Sequence, residues 1–196
     1  MLDPRIITRL LGLLDEARAC DPEPTAMTLA THAQDQGIAA RIVLLKGVDQ
    51  RGLRFFTNYD SRKGRELAHN AHAALCLHWK TLGEGGTQVR IEGSVERLPG
   101  DESDAYFASR ERMSQIGAWA SLQSQVLPDR ATFDTRVAHY EREFHAATVP
   151  RPPHWGGFVL KPVLVEFWHG MAHRLHQREC WQCDADGQWT SRLLYP

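Results

Sequence analysis

The chain has 196 residues, 42% hydrophobic and 24% charged, with a formal net charge of −1, which are the proportions of one soluble globular domain. That balance excludes a global basic field for nucleic acid, and no apolar run approaches the roughly 20 residues that cross a bilayer. Four cysteines, Cys20, Cys76, Cys180 and Cys183, are too few for a disulfide scaffold of this size, so a reducing cytoplasm is the expected setting.

Asp3-Pro4 predicts a helix start, with Ile6, Ile7, Leu10, Leu11, Leu14 and Ala17 as its apolar stripe within residues 1–20. Charges interrupt that stripe, so it does not read as a signal peptide. "DPEPT" ends it. Strands are expected at 26–32 and 40–48, joined by the turn-like "AQDQG", and at 53–59. "SRKGRELAHN" is a short helix that Asp60 or Ser61 can cap. Strands follow at 73–80 and 87–98, then helices from Asp101 to about Leu122 and from about Asp129 to His145. "VPRPPHWGG" reads as a rigid linker. The strands "FVLKPVLVEFWHG" and "HRLHQRECWQC", the turn "DADG" and the strand "QWTSRLLYP" complete the chain. Many short strands at close spacing, with interspersed helices, predict a small β-barrel decorated by helices.

The stretch "HGMAHRLHQREC" places histidines at 169, 173 and 176. On a helix they would share a face as metal ligands do, but Gly170 and the alternating flanks favour strand over 173–181. Arg174, His176 and Arg178 then share one face and the histidines diverge. Three potential cations in a row suit a bound anion; a solvated edge strand is the plain alternative. Cys180 and Cys183 lack the second ligand pair of a zinc ribbon and point to opposite faces, so no metal site is expected.

Other positions also suit anions. Arg41 and Lys46 bound the apolar "RIVLLK". Ser61, Arg62 and Lys63 sit at a helix start, where free N–H groups favour phosphate and cations oppose the dipole unless an anion is bound. Tyr106, Arg110 and Ser114 recur every four residues and form one helical stripe of phenol, guanidinium and hydroxyl. A solvated face is the plain alternative for each. Several anion positions in a near-neutral chain suggest ligands with more than one phosphate. The absence of a catalytic triad, metal cluster or carboxylate pair in the sequence suggests that a cofactor supplies the chemistry.

The motifs "RIVLLK", "FFTNYDSRKGREL", "QVRIEG", "YFASRERMSQIGAWASLQS", "WGGF", "EFWHG", "HRLHQR" and "RLLYP" resemble those of the pyridoxamine 5'-phosphate oxidase family, in order and spacing, from about Pro24 to Pro196. The resemblance implies a mainly β fold with α: an FMN-binding split β-barrel with flanking helices, one domain over 1–196, ending in a hairpin over 173–196 that carries substrate residues. It implies a homodimer with both active sites at the interface. The implied reaction oxidises pyridoxamine 5'-phosphate or pyridoxine 5'-phosphate to pyridoxal 5'-phosphate, with O2 reduced to H2O2.

By motif position, FMN would meet Arg41, Ile42, Val43, Leu44, Leu45, Lys46, Phe56, Thr57, Arg62, Lys63, Gln88, Gln123, Ser124, Trp168 and Arg178. The substrate phosphate would meet Lys46, Tyr106, Arg110 and Ser114. Arg174 and His176 would lie over the substrate ring, Arg174 placing the carbon that gives up hydride and His176 serving as a candidate base. Phe56 stands where relatives often have tyrosine, Glu111 and Met113 vary the family pattern off the stripe, and little chain precedes the first helix to fold over the substrate. A phenazine-type flavin oxidase of the same superfamily and a non-catalytic flavin or pyridoxal phosphate binder are the rival readings.

Overall fold

The structure, a computed structural model, describes residues 1–33 and 37–196. Residues 34–36, the centre of the turn expected between the first two strands, lie outside the described residues.

Helix α1 (Pro4–Ala17) starts as the sequence predicts: Asp3 caps it, accepting from the Arg5 N–H at 2.8 Å, with Pro4 in the first turn. Its buried stripe is Ile6, Leu10, Leu13, Leu14 and Ala17; Leu11 is exposed, and Leu13 takes the place expected for it. Strands β1 (Ala26–Ala33), β2 (Gly37–Leu44), β3 (Gly47–Asp49), β4 (Gly52–Asn58), β5 (His72–Trp79), β6 (Thr87–Arg97) and β7 (Trp155–His169) form an antiparallel sheet in the order β2-β1-β5-β6-β7-β4-β3. The hairpin β8 (Gln177–Cys183) and β9 (Trp189–Leu194) extends from β7.

The sequence reads 40–48 as one strand, but the chain changes partner inside it. Leu45 N–H donates to Thr25 O at 2.8 Å, and Lys46 N–H donates to Arg54 O at 2.8 Å. Within two residues the backbone passes from the β1 side to the β4 side, which curls the sheet toward a barrel. Leu45 is buried, and the side chains on either side of it are less so, as strand alternation requires. A main core fills the curl, with Leu29, Phe55, Leu75, Leu77, Ile91 and Phe167 fully buried beneath α1. At about 25 cal/mol per Å² of apolar surface, such side chains each contribute roughly 2 kcal/mol.

β7 begins at Trp155, inside the segment expected to be a linker. It pairs with β6 along most of its length. Its first half pairs with β4 on the other side and its second half with β8. The β6–β7 register shifts at Glu92/Gly93, and only glycine fits at 93, because a Cβ there would lie 2.0 Å from Lys161 O.

The helix expected from Asp101 to Leu122 is two helices, α3 (Gly100–Ala108) and α4 (Arg112–Ala120). The buried Gln115 amide donates to Phe107 O at 2.9 Å and Ala108 O at 3.3 Å, satisfying carbonyls that a continuous helix would have used. α2 (Arg62–His69) is capped by Ser61, and α5 (Arg130–Glu143) by Asp129. With Trp155, α3 to α5 enclose a second, smaller core around Phe107, Ile116 and Phe144. No helix among the described residues is long and apolar enough to cross a membrane.

The strand expected over 173–181 begins only at Gln177. A 3-10 turn (Ala172–Arg174) comes first, with His173 and Arg174 in the left-handed region at φ 56° and 64°. This breaks alternation, so Arg174 and His176 precede the hairpin and do not share a strand face with Arg178. Gly170 anchors the turn: its N–H donates to Gly86 O at 2.8 Å, and a Cβ there would lie 2.1 Å from Gly85 O.

Candidate active site

A cavity of about 500 Å³ opens between the β2 end, β4 and the α3–α4 junction. Ile42, Val43 and Leu44 form one wall and lead to Lys46. Phe56, Thr57 and Asn58 at the end of β4 form another. Lys63 enters from the first turn of α2, Tyr106 from α3, and Ser114 from α4, with Arg110 at the break between those helices and Gln123 beyond. The predicted stripe of Tyr106, Arg110 and Ser114 does line one surface. It does so across the bend of two helices rather than along one.

Aromatic rings layer along one side of the cavity. Phe56 stacks on Tyr106 with centroids 3.9 Å apart, and Trp155 stacks behind Phe56 at 5.6 Å. The Arg110 guanidinium lies over Trp155 at 4.7 Å. Its Nη1 is buried without a hydrogen-bond partner. Burial pushes the Arg110 pKa below its ordinary value, with Tyr106 opposing the shift. An unpartnered guanidinium nitrogen beside a phenol, a hydroxyl and Lys46 is a donor set suited to a phosphate.

Lys63 is a further cation of the cavity, beside Arg110 and Lys46. Its partners are neutral oxygens: Gln123 Oε1 at 2.8 Å, Thr57 Oγ1 at 3.0 Å and Ser61 Oγ at 3.4 Å. Burial first, then the Arg41 charge, pushes its pKa down to about 8, while Glu66 opposes the shift. Arg41 and Arg62 are not in the lining; both are held by Glu66 beside it. Leu45 points into the core, and Ser124, in the left-handed region at φ 73°, faces a neighbouring groove.

Gln88, Trp168, Arg174, His176 and Arg178 do not line this cavity. Gln88, Trp168 and Arg178 instead form one row across β6, β7 and β8. The His176 ring lies 4.7 Å from Trp168. Arg178 donates to the buried Glu166 at 2.8 Å and to Tyr195 O at 3.1 Å, while the Arg174 side chain is exposed. The candidates therefore divide into a cavity and a separate rim.

Sequence reading missed Trp155, Asn58 and Glu111 in the lining, the carboxylate Glu66 behind it and the carboxylate Glu166 behind the rim. Glu66 had one local signal, its i,i+4 spacing from Arg62. Glu166 had none, because its partners come from other strands. Among the described residues, no group of three His, Cys, Asp or Glu side chains is placed to hold a metal.

Two family models match the chain. One, described as "Pyridoxamine 5'-phosphate oxidase", covers residues 13–143, and the other, "Pyridoxine 5'-phosphate oxidase C-terminal dimerisation region", covers 155–196. A pyridoxine/pyridoxamine 5'-phosphate oxidase of Xanthomonas euvesicatoria pv. vesicatoria is 52% identical over 178 residues, 91% of this chain and 89% of that protein. One of Myxococcus xanthus is 48% identical over 197 residues, covering 100% and 94%. Among solved structures, PhzG from Burkholderia lata 383, in complex with tetrahydrophenazine-1-carboxylic acid, superposes with a TM-score of 0.88 at 32% identity, covering 100% of this chain and 98% of that one.

Proposed function

The chain belongs to the pyridoxamine 5'-phosphate oxidase family, and from that membership we propose that it oxidises pyridoxamine 5'-phosphate and pyridoxine 5'-phosphate to pyridoxal 5'-phosphate, with FMN as cofactor and O2 reduced to H2O2. The observation that carries this reading is the corner made by Lys46, Tyr106, Arg110 and Ser114, where a buried guanidinium nitrogen has no partner. A phosphate, with several acceptor oxygens, could satisfy it together with the other three side chains.

The residues present fit FMN. The α2 start offers the first-turn N–H groups of an eight-residue helix, with Arg62 and Lys63 beside them and Arg41 adjacent. Thr57 and Gln123 add neutral polar groups. When bound, FMN would supply the hydride acceptor and the route of electrons to oxygen. The chain's own share is grip and orientation. Lys46, Tyr106, Arg110 and Ser114 hold the substrate phosphate, and the Phe56–Tyr106–Trp155 stack keeps that corner fixed.

Arg174 and His176 would face the substrate ring. Met171 N–H donates to His176 Nδ1 at 3.2 Å. A backbone N–H can only donate, so the neutral ring carries its proton on Nε2. That nitrogen is then a hydrogen-bond donor toward a ligand, which makes His176 a poor base and a suitable orienting group. The match to a dimerisation region supports a homodimer. Two copies that set the Trp168 row of one against the cavity of the other would complete both sites.

The test is to mix FMN-loaded protein with pyridoxine 5'-phosphate without oxygen and follow flavin absorbance. Bleaching, then recovery in air with pyridoxal 5'-phosphate formed, is the expected result. Unphosphorylated pyridoxine should bleach it far more slowly. A flavin that stays oxidised with both phosphorylated vitamers overturns the reading. Bleaching by tetrahydrophenazine-1-carboxylic acid alone would assign the chain a phenazine-type substrate instead.

A further inference from the structure

We propose that Glu66 is a positioning residue for the cofactor phosphate: one buried carboxylate that holds Arg41 and Arg62 together at the start of α2. The inference rests on the FMN reading above. Glu66 is only 2% exposed. Its Oε2 accepts from Arg41 Nη2 at 2.9 Å and from the Thr31 hydroxyl, and its Oε1 accepts from Arg62 Nε at 2.7 Å. Arg41 also donates to Thr31 and, at 3.3 Å, to Leu29 O. Three elements therefore meet at one side chain: β1 through Thr31, β2 through Arg41 and α2 through Arg62.

A carboxylate is an unexpected neighbour for a phosphate site, since it subtracts from the attraction. What it supplies is geometry. Two guanidiniums and Lys63 repel each other, and without an anion between them they would spread into solvent. Glu66 cancels one of the three charges and fixes the direction of two, so the grip is assembled before the ligand arrives. Burial by itself would raise the Glu66 carboxyl, but hydrogen bonds from Thr31, Arg62 and Arg41 outweigh it and hold the group below the usual carboxylate range. The carboxylate is thus charged and directional at neutral pH.

The competing role is purely structural, a tie between α2 and the barrel. Riboflavin, which lacks the phosphate, separates the two. Apoprotein is titrated with FMN and with riboflavin by flavin fluorescence quenching, in wild type, Glu66→Gln, Glu66→Asp and Thr31→Val, and melting curves are recorded for each. In Glu66→Gln the preference for FMN over riboflavin should fall by about tenfold or more, as for loss of a hydrogen bond to a charged group, with riboflavin affinity within about twofold of wild type. Glu66→Asp should restore part of the preference, and Thr31→Val should lower it severalfold. An unchanged preference in folded Glu66→Gln overturns the proposal, as does a proportional weakening of both flavins that tracks the melting temperature. If Glu66→Gln does not fold, an unchanged preference in Thr31→Val overturns it. A wild type that binds both flavins equally overturns the FMN reading itself, a result distinct from failure of the Glu66 role.

Discussion

The cavity and the rim differ in how they are held. The cavity takes its lining from β2, β4 and the helices α2 to α4, and stacked rings fix it. The rim comes from three neighbouring strands and a turn in which two consecutive residues take left-handed backbone. Yet each stands on a buried carboxylate. Glu66 holds Arg41 and Arg62; Glu166, 3% exposed, holds Arg90 and Arg178, each at 2.8 Å. The difference teaches that the cavity gathers side chains of one copy around one space, whereas the rim is an open row on neighbouring strands.

The sharpest way to break that contrast is at Arg110. Arg110→Met should raise the KM for pyridoxine 5'-phosphate about a hundredfold, because a charge-assisted phosphate contact is lost, while apoprotein affinity for FMN stays within a few-fold. Steady-state kinetics and flavin titration together check this. If FMN binding collapses as well, the two phosphate positions are not separate.

Glu166→Gln probes the rim. Freed from its carboxylate, Arg178 should lose its fixed direction, and FMN affinity should fall about tenfold. Equal effects on riboflavin and FMN are expected here, in contrast to Glu66, because Arg178 lies on the rim and not at the α2 start where the cofactor phosphate would sit.

A pH series distinguishes the regions more finely. Lys63 has a pKa of about 8 in the free protein, and a bound phosphate favours its charged form, so the pKa of the complex is higher. FMN affinity should be full below pH 8 and fall above it, by up to about tenfold per unit, as binding must restore the proton. The charges facing Lys63 are those of Arg41 and Glu66, and hydrogen bonds hold the Glu66 carboxyl below the usual carboxylate range. Lys63→Met should bind more weakly below pH 8 and lose the dependence. The smallest effect is expected at His173. His173→Gly removes a left-handed penalty of about 1 kcal/mol, partly offset by unfolded-chain entropy, so stability should rise by less than that, while turnover slows severalfold as Arg174 loosens. Thermal melts and kcat measure the two.

Much of the cavity was legible in the sequence, because local patterns carry it. "SRKGREL" announces a helix start with cations, and Tyr106, Arg110 and Ser114 still line one cavity across the helix break, where Gln115 satisfies the freed carbonyls. The rim was less legible. Residues 173–176 read as a continuation of the flanking strand pattern, and nothing local says that His173 and Arg174 adopt positive φ; the turn they make follows Gly170, which packs against Gly85, far away in sequence. Trp155 was hidden for a related reason: prolines precede it, yet its strand is fixed by β4 and β6. Glu66 and Glu166 look like ordinary surface acids until tertiary partners surround them.

Strand β7 carries a further consequence. Trp155 at its first residue belongs to the cavity, and Trp168 near its last belongs to the rim. At about 3.3 Å per residue they are separated by roughly 40 Å of contour, far more than a flavin spans. The strand is a beam with a different workplace at each end. In an assembled pair, each beam would serve two sites at once, so its length sets a spacing that both must share. An insertion of one residue would not merely shift a side chain; it would put the two workplaces out of step with each other.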